Sequence, residues 1–180
     1  AAFSENNQVR LIAMGKKISS AGSGSEFAKT RITGGDSLER FSHADIQPYV
    51  VTIRVGAGHG SGVLVGRKGL VMTNAHVVGD AKAVQVITSL GLEIKGDVVA
   101  VNKARDVALI QTPIKTRKAV PLFTDLPEVG SALFAVGSPL KEEVSMTVTK
   151  GIASAIREDS ASGLSFIQGD VAISPGNSGG

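Results

Sequence analysis

The sequence predicts an all-β protein, and three observations carry that prediction. Hydrophobic residues make up 42% of the 180-residue chain but aromatics only 4%. The core must therefore be built from Val, Ile, Leu and Ala, and β-branched side chains suit strands. Glycine occurs 22 times, which fits many tight turns. Short apolar runs recur with turn signals between them, the spacing of a sandwich or barrel.

Residues 1–45 read as an N-terminal appendage, partly helical or flexible. Val9, Leu11, Ile12 and Met14 suit a short helix ending near Gly15, and residues 19–25 have flexible linker composition. Residues 31–35, Arg-Ile-Thr-Gly-Gly, read as a turn. From Tyr49 the period changes. Within a first unit, 46–111, six strands are expected at 49–55, 62–65, 70–73, 83–88, 93–101 and 107–111. The glycine-rich stretch 56–62 lacks the spacing of a dinucleotide loop and leads into a strand where that loop needs a helix, so it reads as a hairpin with His59 as a solvated turn residue. Residues 112–120 form a connector, with Lys115, Arg117 and Lys118 solvated. A second unit, 121–180, has strands at 132–136, 146–156 and 164–168.

Composition narrows the function. The formal charge is +3 and the basic residues are dispersed, so no nucleic-acid footprint is expected. There are no cysteines, which excludes disulfides, a thiol nucleophile and thiolate metal sites. No His/Glu arrangement has zinc-ligand spacing, so neither metal nor cofactor is expected. No apolar run reaches the roughly 18 residues of a membrane span.

Three short segments carry chemistry. The chain closes on Ser174-Pro175-Gly176-Asn177-Ser178-Gly179-Gly180. A serine among glycines suits a nucleophile loop, because glycine lets the backbone turn sharply and lets a substrate carbonyl approach. The amides of Gly176 and Ser178 would converge on a developing oxyanion. Thr73-Asn74-Ala75-His76 offers a base, and Asp106, at the head of the apolar run 107–110, offers a carboxylate. Taken singly, these read as a turn, a core or cap histidine and a strand-edge charge. Together they follow the order His, Asp, Ser, which is that of the chymotrypsin-type triad.

Residues 61–65, 73–78, 106–109 and 176–180 resemble the trypsin-type serine proteases. The approach to the serine, residues 167–175, resembles their Do-like branch, the high-temperature-requirement proteases. The resemblance runs from about Pro48 to Gly180 and leaves residues 1–45 without a counterpart. It implies two antiparallel six-stranded β-barrels, with His76 and Asp106 on the first and Ser178 on the second. The family chain continues beyond its nucleophile, so the second barrel is expected to be incomplete here.

The resemblance also implies a function. That function would be a serine endopeptidase in protein quality control, acting on polypeptides that include unfolded proteins. Ala172, at the position that sets the base of the family's primary pocket, implies with Ile173 a preference for small aliphatic residues. Asp170 is offset by two positions and is not assigned to that pocket. Asn177 stands where activation-dependent relatives carry an aspartate, which implies a site ordered by loops instead of by chain cleavage. A periplasmic or secreted location and a homotrimer follow from the same resemblance. The alternative is a catalytically silent binding or chaperone module on the same fold.

Overall fold

The computed structural model describes residues 11–13, 43–120, 122, 125–138, 146–160, 163–174 and 176–180. The elements run β1 (Leu11–Ala13), α1 (His43–Ile46), a 3-10 turn (Gln47–Tyr49), β2 (Val50–Val55), β3 (Gly58–Gly66), β4 (Leu70–Thr73) and α2 (Ala75–Val78). They continue with β5 (Ala83–Ile87), β6 (Glu93–Asn102), β7 (Val107–Gln111), β8 (Ala132–Gly137), β9 (Thr147–Asp159) and β10 (Leu164–Gly169).

Six strands close into an antiparallel barrel in the order β2-β3-β4-β7-β6-β5. Closure is made where β2 meets β5, with Ile53 opposite Val86. Strands β4, β5 and β7 alternate buried and less buried positions, as a strand with one inward face must. Ile53, Val71, Val86 and Ile110 are wholly excluded from solvent. Each side chain of that kind contributes about 1.5–3 kcal/mol when buried. Bulges in β3, between Leu64 and Gly66, and in β6, between Val98 and Ala100, add the local twist that helps a sheet bend round on itself.

The remaining strands form an open antiparallel sheet, β1-β10-β9-β8. The expected first barrel is therefore present and the second is incomplete. The connector lies along the first barrel, with Thr116 N–H donating to the Arg67 carbonyl at 3.0 Å and Val120 N–H to that of Leu64 at 3.1 Å. The hydroxyls of Thr52 (β2) and Ser138 (just after β8) hydrogen-bond to each other and join barrel to sheet.

Two expectations change. Leu11 and Ile12, read as helical, lie in strand β1, where Leu11 pairs with Ile167 and Ile12 with Phe166. A sheet edge supplies backbone partners that override a weak local helix preference. The rest of the helix reading, the linker at 19–25 and the turn at 31–35 lie outside the described residues. His59 is not a turn residue but pairs with Arg54 inside β3, and its Nε2 is buried without a hydrogen-bond partner. The turn is confined to Gly56 and Ala57, with Gly56 at φ +55°.

Candidate active site

The candidate base sits where a strand hands over to a single helical turn. Strand β4 ends at Thr73, Asn74 is extended, and α2 begins at Ala75. Ala75 and Val78 bury themselves against the barrel, which leaves His76 exposed at its rim. Gly79, at φ +56°, ends the turn, its N–H donating to the Ala75 carbonyl at 2.9 Å.

The candidate carboxylate comes from the β6–β7 turn. Asn102 Oδ1 accepts the Arg105 N–H at 3.0 Å, and Asp106 N–H reaches the Lys103 carbonyl at 3.3 Å. Asp106 itself has φ +53°, left-handed backbone that Asp tolerates better than most residues. Asn74 Nδ2 donates to the Asp106 carbonyl at 2.8 Å and so ties this turn to the residue two before His76.

Both carboxylate oxygens of Asp106 face His76. Oδ1 accepts the His76 backbone N–H at 2.9 Å, and Oδ2 lies 2.7 Å from Nδ1. An ionised carboxylate only accepts, so Nδ1 carries the proton and Nε2 is left as the acceptor. An imidazole held in that tautomer can take a proton from a hydroxyl and return it. The pair is open to solvent, with the His76 and Asp106 side chains 57% and 40% exposed.

Ser178 lies beyond β10, after a stretch, 170–174, that belongs to no helix or strand. The Asn177 N–H donates to the Ser174 carbonyl at 3.1 Å and the Gly180 N–H to that of Asn177 at 2.9 Å. Among the described residues, no carbonyl takes the amide of Gly176 or Ser178. Ser178 is exposed, whereas Asn177 is buried against Gly137. The loop is pressed onto the first barrel: a Cβ on Gly179 would lie 2.2 Å from the Ser61 carbonyl oxygen and 2.3 Å from Thr73 Oγ1.

The structure thus brings the three segments together across the barrel rim. Gly60 lies between them, since a Cβ there would sit 2.7 Å from a methyl of Val77, next to His76, and 3.0 Å from the Ser178 carbonyl oxygen. Among the described residues, no hydrogen bond joins the His76 imidazole to the Ser178 hydroxyl. Ala172 and Ile173 are exposed on the stretch between β10 and the Ser178 turn, with the Ala172 carbonyl accepting from Thr149 Oγ1 at 2.7 Å. The Asp170 carboxylate accepts the Ile152 N–H at 2.7 Å and is occupied with β9.

Three residues that support this geometry stand in the segments quoted from the sequence but were given no part of their own there: Ser61, Thr73 and Asn74. Their signal was a polar residue at a buried or half-buried place in or beside an apolar strand. Among the described residues no group of three or more His, Asp or Glu is placed to hold a metal ion, and no helix is long and apolar enough to cross a membrane.

Comparison with known proteins bears on the fold and the family. The family model of the trypsin-like peptidase domain matches residues 60–180. The chain is similar to a Do-like serine protease, HtrA, of Lactobacillus helveticus, 33% identical over 190 residues that cover 100% of this chain and 44% of that protein. It is also similar to a Halomonas elongata protein named a probable periplasmic serine endoprotease, DegP-like, at 40% identity over 125 residues, or 67% of this chain and 26% of that protein. A solved structure described as the HtrA-type protease AlgW with tripeptide superposes with a TM-score of 0.68 at 31% identity, covering 76% of this chain and 47% of that one. The chain spans less than half the length of these relatives.

Proposed function

Because the chain belongs to the trypsin-like peptidases, with HtrA and Do-like serine proteases among its relatives, we propose that it is a serine endopeptidase that acts through His76, Asp106 and Ser178. One observation carries the reading: Asp106 holds His76 through both carboxylate oxygens, while the Ser178 loop is bound to the same barrel.

In this reading the Ser178 oxygen attacks the carbonyl carbon of a peptide bond as His76 Nε2 takes the hydroxyl proton. Asp106 holds the tautomer and stabilises the imidazolium. The amides of Gly176 and Ser178 receive the oxyanion, and one such donor is worth about 3 kcal/mol in the barrier. His76 passes the proton to the leaving amine as the C–N bond breaks, leaving an acyl group on Ser178. Water, deprotonated by His76, then attacks the acyl carbon, and the proton returns to Ser178 as the acid product departs.

The finer proposals rest on fewer observations. Ala172 and Ile173, exposed beside the nucleophile loop, would line a neutral pocket for small aliphatic residues. The names of the relatives support a periplasmic or secreted setting and work on polypeptides, and we extend that to protein quality control and a homotrimer.

A second reading, a binding or chaperone module on this fold, is favoured by one observation: His76 makes no hydrogen bond to Ser178. Catalytic hydrogen bonds often tighten only when substrate is bound. A fluorophosphonate probe separates the two readings. A single adduct on the natural-length protein, absent from Ser178→Ala, is expected; a folded protein that takes no adduct with or without a polypeptide partner is a silent module.

A further inference from the structure

Ser61 is the most heavily committed polar residue beside the site. It lies within β3 and is wholly excluded from solvent. A buried hydroxyl is costly unless its donor and acceptor capacities are met. Those of Ser61 are met by two different segments of the second unit. Oγ donates to the Gly176 carbonyl at 2.6 Å and accepts the Ser138 N–H at 2.8 Å. The backbone N–H of Ser61 donates to the Ser178 carbonyl at 2.7 Å, and its own carbonyl accepts from Thr73 Oγ1 at 2.6 Å.

These bonds have a geometric consequence. The carbonyls of Gly176 and Ser178 belong to the peptide planes on either side of the Asn177–Ser178 peptide. With both outer planes tied to Ser61, the Asn177–Ser178 peptide is anchored at both of its ends. That middle plane carries the Ser178 amide and sets where the Ser178 side chain leaves the backbone. The Ser138 tie holds the end of β8 against the same hydroxyl. Thr73 in turn fixes Ser61 from the strand that leads to His76. One side chain therefore couples the orientation of the nucleophile loop to the strands that present the base.

We propose that Ser61 is a positioning residue: its hydroxyl holds the Gly176 carbonyl so that the Ser178 amide and side chain stay aligned for reaction. The proposal rests on the protease reading given above. A glycine or alanine at position 61 would keep the backbone tie to Ser178 but lose the ties to Gly176 and Ser138. Without the hydroxyl, the 176–177 plane keeps only the Asn177 N–H bond to the Ser174 carbonyl.

The test uses the natural-length protein with Ser61→Ala, Ser61→Thr and, if the alanine variant does not fold, Ser61→Cys, which keeps the volume with a weaker donor. For Ser61→Ala we expect kcat on a peptide substrate and the rate of fluorophosphonate labelling at Ser178 to fall together by about 10- to 100-fold, with KM within about twofold. Ser61→Thr, which retains the oxygen, should recover most of both. Hydrogen exchange should quicken in the peptide covering residues 174–180 and not in those covering β4 and β7. Unchanged kcat and labelling with a lowered melting temperature would make the hydroxyl a structural filler and overturn the proposal. So would a change confined to KM. If the wild-type protein itself neither cleaves nor labels, the protease reading fails; the exchange measurement still decides whether Ser61 holds the loop, and unchanged exchange overturns that too.

Discussion

Asn74 donates its side-chain amide to the backbone carbonyl of Asp106 at 2.8 Å, across 32 positions of sequence. The bond holds a residue whose backbone is left-handed and whose carboxylate grips His76. Losing it leaves a part-buried carbonyl without its partner, a cost of about 1 kcal/mol. Asn74→Ala is therefore expected to lower kcat about tenfold through a misplaced carboxylate, with KM little changed. Steady-state kinetics on a peptide substrate check this. An unchanged kcat would mean that the Asn102–Asp106 turn orients the carboxylate unaided.

The contact of Gly179 with Ser61 and Thr73 allows a sharp comparison. A methyl group at Gly179 would collide with the Ser61 carbonyl and the Thr73 hydroxyl, and the residue sits at φ +90°. Gly91 has a similar backbone, φ +76°, but a methyl group there would meet nothing within 4 Å. Gly179→Ala should abolish fluorophosphonate labelling of Ser178, while Gly91→Ala should cost only backbone strain, about 1 kcal/mol, and label normally. Labelling by both variants at wild-type rate would show that the nucleophile loop can lift off the barrel without loss.

Much of the fold and of the site is legible in the sequence because it follows from local chemistry. Alternation in β4, β5 and β7 marks one face of each strand, and Val71, Val86 and Ile110 fill the barrel from it. His76, Asp106 and Ser178 are visible as residue types in a known order. Ser61 stands in plain view at the head of an apolar run, yet its role is hidden. Its partners lie 77 and 115 positions away, and only the docking of the second unit onto β3 brings them near. β3 is also buried almost throughout, so period-two alternation fails there. The strand at Leu11–Ala13 is illegible for the same reason, since its partner is β10.

The barrel core sets the stability of the half that carries His76 and Asp106. Ile110 is wholly buried at the centre of that core. Ile110→Ala should destabilise by about 2–5 kcal/mol through lost burial and a residual cavity. Val99, 52% exposed on β6, should tolerate alanine within about 0.5 kcal/mol. Urea unfolding followed by circular dichroism measures both, and similar midpoints for the two variants would contradict the assigned barrel interior.

The 115-residue separation spanned by the Ser61 hydroxyl and the Gly176 carbonyl has a consequence in time. Contacts between distant parts of a chain form after local ones, because closing a long loop costs entropy before any bond repays it. The hairpin of β2 and β3 is local, the barrel closure less so, and the tie to the nucleophile loop the most remote of the three. A chain still acquiring its shape therefore holds a histidine and a carboxylate in place before it holds the serine. On the proposed protease reading, the three groups of the site come together only once most of the fold is already in place.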